Sequence, residues 1–351
     1  MYGTDAGRRW HGARARLRAG TAALGAALLL AACSSACSQD GDGGGDAPGK
    51  EAARDVHGSG ASFWVNPEGR AARALVALRD AGLTKEAELV EQIAAQPAGE
   101  WVGTEEPQEQ TARITGAAEE AGQAALLVLY NIPHRDCGQY SQGGARDADA
   151  YREWIDQIVA GIGDREAWIV LEPDALPHLL QPGCVPAGLH EEQYALLSEA
   201  VGKLAGLPDT RVYLDAGNPR WVRDAQGMVE PLRRAGIGQA DGFSLNVSNY
   251  ETTEANIAYG RRLSAMVGGK PFVIDTSRNG NGPAEGAGDA EAWCNPPGRA
   301  LGEEPTADTG EELVDAYLWV KRPGESDGTC KGGPPAGDWY HEYALELAGG
   351  A

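Results

Sequence analysis

Short apolar runs alternate with amphipathic stretches along most of this chain, from about residue 100 to about residue 320. The apolar runs are rich in Val, Ile and Leu, and they predict strands near Trp101-Val102, Leu126–Tyr130, Trp168–Leu171, Arg211–Leu214, Gly242–Asn246, Phe272–Ile274 and Ala316–Val320. The stretches between them predict helices at Glu109–Ala121, Ala148–Ile162, Glu191–Leu207, Gln226–Ala235, Thr253–Val267 and Gly310–Asp315. Such alternation is typical of a parallel sheet with helical crossovers.

The predicted fold class is therefore α/β. About seven strand and helix units in roughly 290 residues favour a distorted (β/α) barrel of about seven parallel strands, similar to a TIM barrel. An open doubly wound sheet is the structural alternative. No Gly-x-Gly-x-x-Gly sequence follows the first predicted strand, so a dinucleotide-binding site has no support.

Residues 1–32 predict an export signal. A basic stretch from Arg8 to Arg18 precedes an apolar run from Thr21 to Ala32, which is too short to span a bilayer stably. The run ends at Leu30-Ala-Ala-Cys33. This sequence resembles a bacterial lipobox, which implies cleavage before Cys33 and lipid attachment to its thiol. Ordinary signal cleavage nearby is the alternative.

Residues 33–56 are rich in Gly, Asp, Ala and Ser and predict a flexible linker, and residues 57–351 predict one folded domain. We therefore expect an exported monomer, anchored by lipid at Cys33 on the outer face of the plasma membrane or otherwise secreted. The chain has 51 acidic and 30 basic residues and a formal net charge of −21. This charge argues against nucleic acid as a partner. It fits a neutral polymer as a substrate, but it is equally explained by solubility alone.

Four cysteines remain in the predicted domain: Cys137, Cys184, Cys294 and Cys330. An even number in an exported chain predicts two disulfides, and four cysteines allow three pairings. A zinc site is the alternative, but no Cys-x-x-Cys pair supports it.

Four of the predicted strands lead into an aspartate: Asp136, Asp174, Asp215 and Asp275. Functional residues of a barrel lie at the carboxyl ends of its strands, so these carboxylates are expected to meet in one cleft. An ionised carboxylate is costly at the end of a buried strand unless it is hydrogen-bonded or used. Sites made of acids suit the cleavage of glycosidic bonds, in which one carboxyl donates a proton and another assists water.

Asp174 follows Glu172-Pro173. We expect partial burial and the charge of Glu172 to raise the pKa of the Asp174 carboxyl, as a general acid requires. Asp174 also precedes a helical stretch, so a role as a helix N-cap is equally open. Asp136 has Arg135 as a possible ion-pair partner and a glycine-rich loop after it; the alternative for Asp136 is a solvated surface turn.

Several segments resemble glycoside hydrolase family 6, the cellulases that include endoglucanases and cellobiohydrolases. They occur in the family's order over about residues 60–348, and they are Val128–Gly138 with Gly143-Gly144, Ile169–Leu176, Tyr213–Gly217, Asn249-Tyr250, Ile274–Pro283, Trp293–Pro296 and Leu318–Gly328. The resemblance implies a barrel enzyme that cleaves β-1,4-glucan with inversion and needs no metal or organic cofactor.

The resemblance also implies roles for single residues. Asp174 matches the general acid, Asp136 the aspartate that supports it, and Asp327 the proposed base. Tyr130 would press on the sugar at the cleavage point. Substrate would be bound by Asp215, Trp101, Trp221, Asn249, Trp293, Lys321 and Glu325, with Asp215 alternatively tuning the acid. Asp275 is expected to be structural, and the implied disulfides are Cys137–Cys184 and Cys294–Cys330.

Two positions depart from the family. Asn218 stands where a histidine usually follows Asp-Ala-Gly, and Gln142 stands where a water-positioning serine is frequent, with Ser141 just before it. The short stretch from Asn279 to Lys321 leaves little room for a long lid, which favours an open cleft and endo action. The alternatives are an exo-acting cellobiohydrolase, a lipid-anchored sugar-binding protein that has lost catalysis, and a metal-carboxylate barrel enzyme.

Overall fold

The structure is a computed structural model, and it describes residues 61–284 and 291–350. The predicted signal, Cys33 and the predicted linker lie outside the described residues. None of the helices in the described ranges is long and apolar enough to cross a membrane.

A sheet of seven parallel strands forms the centre of the fold, and each strand pairs with the next one in sequence. The strands are β1 (Glu100–Val102), β2 (Ala125–Leu129), β3 (Ala167–Leu171), β4 (Thr210–Asp215), β5 (Gly242–Leu245), β6 (Phe272–Asp275) and β7 (Val314–Leu318). The sheet forms a half-barrel, and the N–H of Gly99 before β1 donates to the carbonyl of Trp319 after β7 at 2.8 Å. The strand order never reverses, so the predicted barrel-like α/β fold is confirmed over the doubly wound sheet.

Helices connect the strands and flank the sheet. They are α1 (Arg70–Asp80), α2 (Thr84–Ala94), α3 (Pro107–Glu120), α4 (Ala148–Ile162), α5 (Ala175–Leu180), α6 (His190–Leu204), α7 (Gln226–Arg234), α8 (Thr253–Met266) and α9 (His341–Gly349). The helix predicted at Gly310–Asp315 is wrong. Gly310 has a φ of 69°, and the Thr309 hydroxyl donates to the carbonyl of Val314 at 2.7 Å, so the segment forms a turn into β7.

Strands β2, β3, β5 and β6 are buried on both faces. In β2, Leu126 and Val128 belong to the apolar cluster inside the barrel, whereas Leu127 and Leu129 pack in the cluster between the sheet and the helices. Alternate side chains of a strand point to opposite faces, so a continuous apolar run satisfies both clusters. The inner cluster contains Trp168, whose ring stacks on Tyr213 with centroids 5.6 Å apart. The filled interior leaves the carboxyl ends of the strands as the place for a cleft.

Candidate active site

A cleft of about 790 Å³ opens at the carboxyl ends of the strands. All but one of the residues predicted from the resemblance to act in catalysis or substrate binding line it. They are Trp101, Tyr130, Asp136, Asp174, Trp221, Asn249, Trp293, Lys321, Glu325 and Asp327. The exception, Asp215, lies beneath the floor of the cleft.

Asp174 lies at the position before α5, in a left-handed conformation with a φ of 67°. Its side chain makes no capping hydrogen bond to the helix, so the N-cap alternative does not explain the carboxyl. Burial raises its pKa well above the usual range, and the charges of Asp215 and Asp136 raise it further. A carboxyl that faces a cleft and whose pKa is raised in this way is suited to donate a proton.

Asp215 supports the backbone that carries the acid. Its Oδ2 accepts the backbone N–H of Asp174 at 2.8 Å, and its Oδ1 accepts the hydroxyl of Ser244 at 3.3 Å. Burial raises the Asp215 pKa to about 7, against the lowering effect of these hydrogen bonds. Because Asp215 is 1% exposed and does not line the cleft, its geometry fits the tuning of Asp174 and not contact with substrate.

Glu172 does not have the role expected from its place in the sequence. The charges that raise the Asp174 pKa come from Asp215 and Asp136, whereas Glu172 accepts the N–H groups of Asn131 at 3.0 Å and Ile132 at 2.9 Å. Burial raises the Glu172 pKa to about 7, while these hydrogen bonds lower it. Glu172 thus ties the end of β3 to the segment that follows β2.

The loop after β2 places Asp136 in the cleft. The N–H of Ser141 donates to Asp136 Oδ2 at 2.5 Å. Arg135 is not hydrogen-bonded to Asp136 as an ion pair; its Nε donates to the carbonyl of Ser141 at 2.9 Å, and its Nη1 donates to the carbonyl of Tyr130. Burial raises the Asp136 pKa, and the Ser141 N–H and the Arg135 charge oppose that rise.

Glycine is required where this loop returns to the end of β2. A Cβ on Gly144 would lie 1.9 Å from the carbonyl oxygen of Ile132, so no other residue fits without a backbone shift. Ser141 lines the cleft, whereas Gln142 is exposed and is not among the residues that line it. The serine of the loop therefore reaches the cleft one position earlier than the family pattern places it.

Tyr130 lies against Trp101, with ring centroids 5.6 Å apart and the planes at 86°. The guanidinium of Arg135 lies 4.7 Å from the centroid of the Tyr130 ring. Burial, and after it the charges of Asp174 and Asp136, raise the Tyr130 pKa, so its hydroxyl stays neutral. Trp101 is fixed in turn by its Nε1–H, which donates to the carbonyl of Val320 at 3.0 Å.

Asp327 is held between two cations. Arg278 Nη1 donates to its Oδ2 at 2.7 Å, and Lys321 Nζ lies 3.1 Å from its Oδ1. Burial alone would raise the Asp327 pKa, but the Arg278 and Lys321 charges, together with hydrogen bonds from Arg278 and Asn295, outweigh burial and hold it at about 2. Asp327 is therefore ionised at neutral pH, and its Oδ2 already accepts hydrogen bonds from Arg278 and Asn295.

Arg278 and Asn295 stand in the segments that resemble the family, but neither was assigned a role from the sequence. Arg278 is fully buried, and its Nη2 donates to the carbonyl of Ser248 at 2.6 Å. Asn295 donates its backbone N–H to Asp327 Oδ2 at 3.0 Å. The sequence signal that could have identified this pair was Arg278. An arginine close after the end of a buried strand needs an anionic partner if it is itself buried.

One wall of the cleft, called the far wall from here on, is formed by Asn249, Lys321, Glu325 and Asp327. Its polar groups already have partners within the protein. Lys321 Nζ donates to the carbonyl of Ser326 at 3.0 Å as well as facing Asp327. Glu325 lies 3.4 Å from Arg322 Nη1 and 3.6 Å from Arg70 Nε. Asn249 Nδ2 donates to the carbonyl of Val247 at 3.0 Å.

Asp275 has the contacts of a structural residue, as expected. Its Oδ2 accepts the N–H groups of Ser248 at 2.9 Å and Lys321 at 3.0 Å, and its Oδ1 accepts that of Ser277 at 3.0 Å. It is 1% exposed and does not line the cleft. The carboxylate joins the segments that follow β5, β6 and β7.

Two disulfides brace the walls of the cleft. Cys137 is bonded to Cys184, and Cys294 is bonded to Cys330, which is the pairing that the resemblance implies. Within the described ranges, one group could offer ligands to a metal ion, formed by Cys137, Cys184 and His178. Both sulfurs of that group are in a disulfide, so neither is the thiolate that a metal site requires.

Comparison with known proteins agrees with this geometry. The family model described as Glycosyl hydrolases family 6 matches residues 58–351. The chain is 44% identical over 290 residues to an endoglucanase A of Cellulomonas fimi, covering 82% of this chain and 60% of that protein. It is 41% identical over 307 residues to an endoglucanase A of Thermobispora bispora, covering 85% of this chain and 64% of that protein. The chain thus spans less than two thirds of the length of either relative.

A solved structure also matches. It is the endoglucanase Cel6 from Mycobacterium tuberculosis, in complex with methyl-cellobiosyl-4-deoxy-4-thio-β-D-cellobioside. The TM-score is 0.77 at 44% sequence identity, and the match covers 83% of this chain and 98% of that one.

Proposed function

The chain belongs to glycosyl hydrolases family 6, and from this premise we propose that it hydrolyses internal β-1,4-glucosidic bonds of cellulose or related β-glucans with inversion. The observation that carries the proposal is Asp174, a carboxyl whose pKa is raised by burial and by two neighbouring carboxylates, in a cleft lined by indole rings. The two endoglucanase relatives and the endoglucanase structure support this activity.

In the proposed reaction, Asp174 donates its proton to the glycosidic oxygen as the bond from that oxygen to C1 breaks. A water molecule attacks C1 from the opposite face and gives up a proton, and Asp174 regains a proton from solvent afterwards. Inverting enzymes hold their two carboxyl groups roughly 6.5–9.5 Å apart to admit the water. No electron transfer is involved.

Two routes remain for the proton that leaves the water. Asp327 would accept it directly, but a carboxylate with a pKa of about 2 and ion pairs to Arg278 and Lys321 is a weak base. Asp136 has a raised pKa and accepts an N–H from Ser141, which lines the cleft beside it. These contacts favour a relay through water to Asp136, with Asp327 holding charge and position on the far wall.

The indole rings supply the remaining binding chemistry. Trp101, Trp221 and Trp293 all line the cleft, and each presents an apolar ring to which the flat face of a pyranose can bind. A row of such rings fits a linear glucan chain. Exo action remains the alternative within the family, and a sugar-binding protein without catalysis is the alternative outside it.

Export and lipid attachment are further parts of the proposal. The two disulfides support an oxidising compartment. Fractionation of expressing cells tests the anchor, since Cys33→Ala should move the protein from the membrane fraction to the medium. A wild-type protein that is already in the medium would overturn lipid anchoring. Gel filtration of the soluble form tests the proposed monomer.

The activity is tested with purified protein and carboxymethylcellulose, following viscosity and reducing ends together. Endo cleavage lowers viscosity early, while few reducing ends have formed; exo cleavage releases reducing ends with little loss of viscosity. Asp174→Ala should abolish hydrolysis and keep binding of cello-oligosaccharides, and Asp164→Ala, at an exposed acid, is the matched control. Failure of the wild type to hydrolyse any β-glucan would favour the sugar-binding alternative.

A further inference from the structure

His178 lies one helical turn beyond the proposed acid. It belongs to α5, and its backbone N–H donates to the carbonyl of Asp174 at 2.9 Å. The imidazole lines the cleft beside Trp221, with ring centroids 5.1 Å apart and the planes at 66°. This histidine was assigned no role from the sequence.

The imidazole is buried and neutral. His178 is 6% exposed, and burial lowers its pKa to about 4. A neutral imidazole has one N–H donor and one acceptor nitrogen. Neither ring nitrogen has a hydrogen-bond partner among residues 61–284 and 291–350. Because His178 lines the cleft, a ligand bound there can supply hydrogen-bond partners to the ring nitrogens.

The surroundings exclude a metal ion as that partner. The sulfurs of Cys137 and Cys184 lie within 4.8 Å of a His178 ring nitrogen, but they are bonded to each other. A ligand that instead offers hydroxyl groups matches an imidazole with one donor and one acceptor. Sugars offer such hydroxyls around an apolar ring face, and the adjacent Trp221 suits that face.

Asn218 holds Trp221 in place for this arrangement. Its Oδ1 accepts the backbone N–H groups of Arg220 at 3.1 Å and Trp221 at 3.0 Å. The side-chain oxygen of Asn218 thus binds the backbone of the loop that carries Trp221. His178 therefore presents an imidazole beside Trp221 in a chain that lacks one at position 218.

We propose that His178 and Trp221 form one sugar-binding position next to the acid. The indole packs against a pyranose ring, and the neutral imidazole of His178 exchanges hydrogen bonds with hydroxyls of the same ring. His178 is thus a specificity-determining residue that distinguishes sugars by their hydroxyl pattern at this position. The inference rests on the proposed glucanase function and names the group that selects the sugar there.

The test compares His178→Phe, which keeps a ring and removes both polar nitrogens, with His178→Gln, which restores a donor and an acceptor. Affinity is measured by tryptophan fluorescence with cellobiose to cellohexaose in the Asp174→Ala background, and kcat/KM is measured in the wild-type background. His178→Phe should weaken binding about 3- to 10-fold, the range expected for one neutral hydrogen bond. His178→Gln should recover part of that loss.

The length of the oligosaccharide separates this role from a structural one. The loss should appear only with oligosaccharides long enough to reach Trp221, and Trp221→Ala should show the same length threshold. A loss equal at all lengths, or one that follows a lowered Tm and is not recovered by glutamine, would overturn the proposal. His190→Phe, outside the cleft, is the matched histidine control.

The two proposals fail in different ways. If wild-type protein cleaves no glucan, the glucanase function fails, whereas the fluorescence titration still reports whether His178 contributes to sugar binding. If wild-type protein cleaves glucan and His178→Phe binds every oligosaccharide as tightly as its parent, only the His178 inference fails.

Discussion

Asn295 and Asp327 hold each other through two reciprocal hydrogen bonds. The backbone N–H of Asn295 donates to Asp327 Oδ2 at 3.0 Å, and the backbone N–H of Asp327 donates to Asn295 Oδ1 at 2.9 Å. Asn295 Nδ2 also donates to the carbonyl of Gly328 at 2.9 Å. The loop that carries Asp327 is thus fixed by the residue next to Cys294, whose disulfide joins the same two segments.

Asn295→Gly should therefore destabilise the far wall. Glycine tolerates the φ of 42° at this position, so the change removes the side-chain bonds without adding backbone strain. The N–H of Asp327 loses its acceptor, which costs roughly 1–3 kcal/mol. We expect a lower Tm and a kcat reduced about tenfold, because Asp327 is no longer held in place. Asn281→Gly, at an exposed asparagine, is the control; equal effects of the two changes would contradict this role.

Asp327→Asn should change how stability depends on pH. The folded pKa of Asp327, about 2, lies below its ordinary value of 3.8, so its ionised form stabilises the fold. That contribution is present above about pH 4 and is lost as the pH falls through about 2. The variant should be less stable by roughly 3–5 kcal/mol at neutral pH, since it leaves the buried Arg278 and the partly buried Lys321 without their anion. Urea unfolding at pH 7 and at pH 2.5 checks this, and the difference between the proteins should shrink at the lower pH.

Strands β2 and β3 were predictable because they are buried on both faces, which requires continuous apolar runs. The structure of the segment Gly310–Asp315 was not predictable, because six residues are too few for their own helical preference to decide the structure. There the Thr309 hydroxyl bonds to the backbone and directs the chain into β7. Helices α1, α2 and α9 lie outside the strand and helix alternation and were not predicted.

The sequence predicted which residues come together in the cleft, but it did not predict which contacts each side chain makes. Glu172 is two residues from Asp174, yet its φ of 49° directs its carboxylate to Asn131 and Ile132. Asp327 finds two of its partners 32 and 49 residues away, in Asn295 and Arg278. Contacts of that range depend on the folded backbone, and no local pattern encodes them.

Glu172→Gln should make the free energy of unfolding depend less on pH. The folded pKa of Glu172, about 7, lies above its ordinary value of 4.5. A raised pKa stabilises the fold below pH 4.5, and that stability is lost as the pH rises through 7. Wild type should thus lose on the order of 3 kcal/mol relative to the variant between those two pH values. Urea unfolding at pH 4.5 and pH 8 measures this, with surface Glu120→Gln as control; a constant difference would contradict it.

Asp215→Asn should move the pH dependence of catalysis without removing the acid. An asparagine keeps an oxygen for the N–H of Asp174 but removes the charge that, after burial, most raises the Asp174 pKa. The Asp174 pKa should therefore fall. Because the acid acts only when protonated, the alkaline limb of the kcat profile should move to lower pH, with activity kept on the acid side.

The profile of kcat against pH on a soluble β-glucan measures the effect of Asp215→Asn, with circular dichroism and Tm at each pH to show that the variant stays folded. Asp275→Asn is the matched control, because Asp275 is an equally buried strand-end carboxylate whose charge is not among those that raise the Asp174 pKa. The alkaline limb of the kcat profile of Asp275→Asn should lie at the same pH as that of the wild type. If Asp215→Asn also leaves that limb in place, the charge of Asp215 does not set the proton affinity of the acid, and its contact with the Asp174 backbone is purely positional.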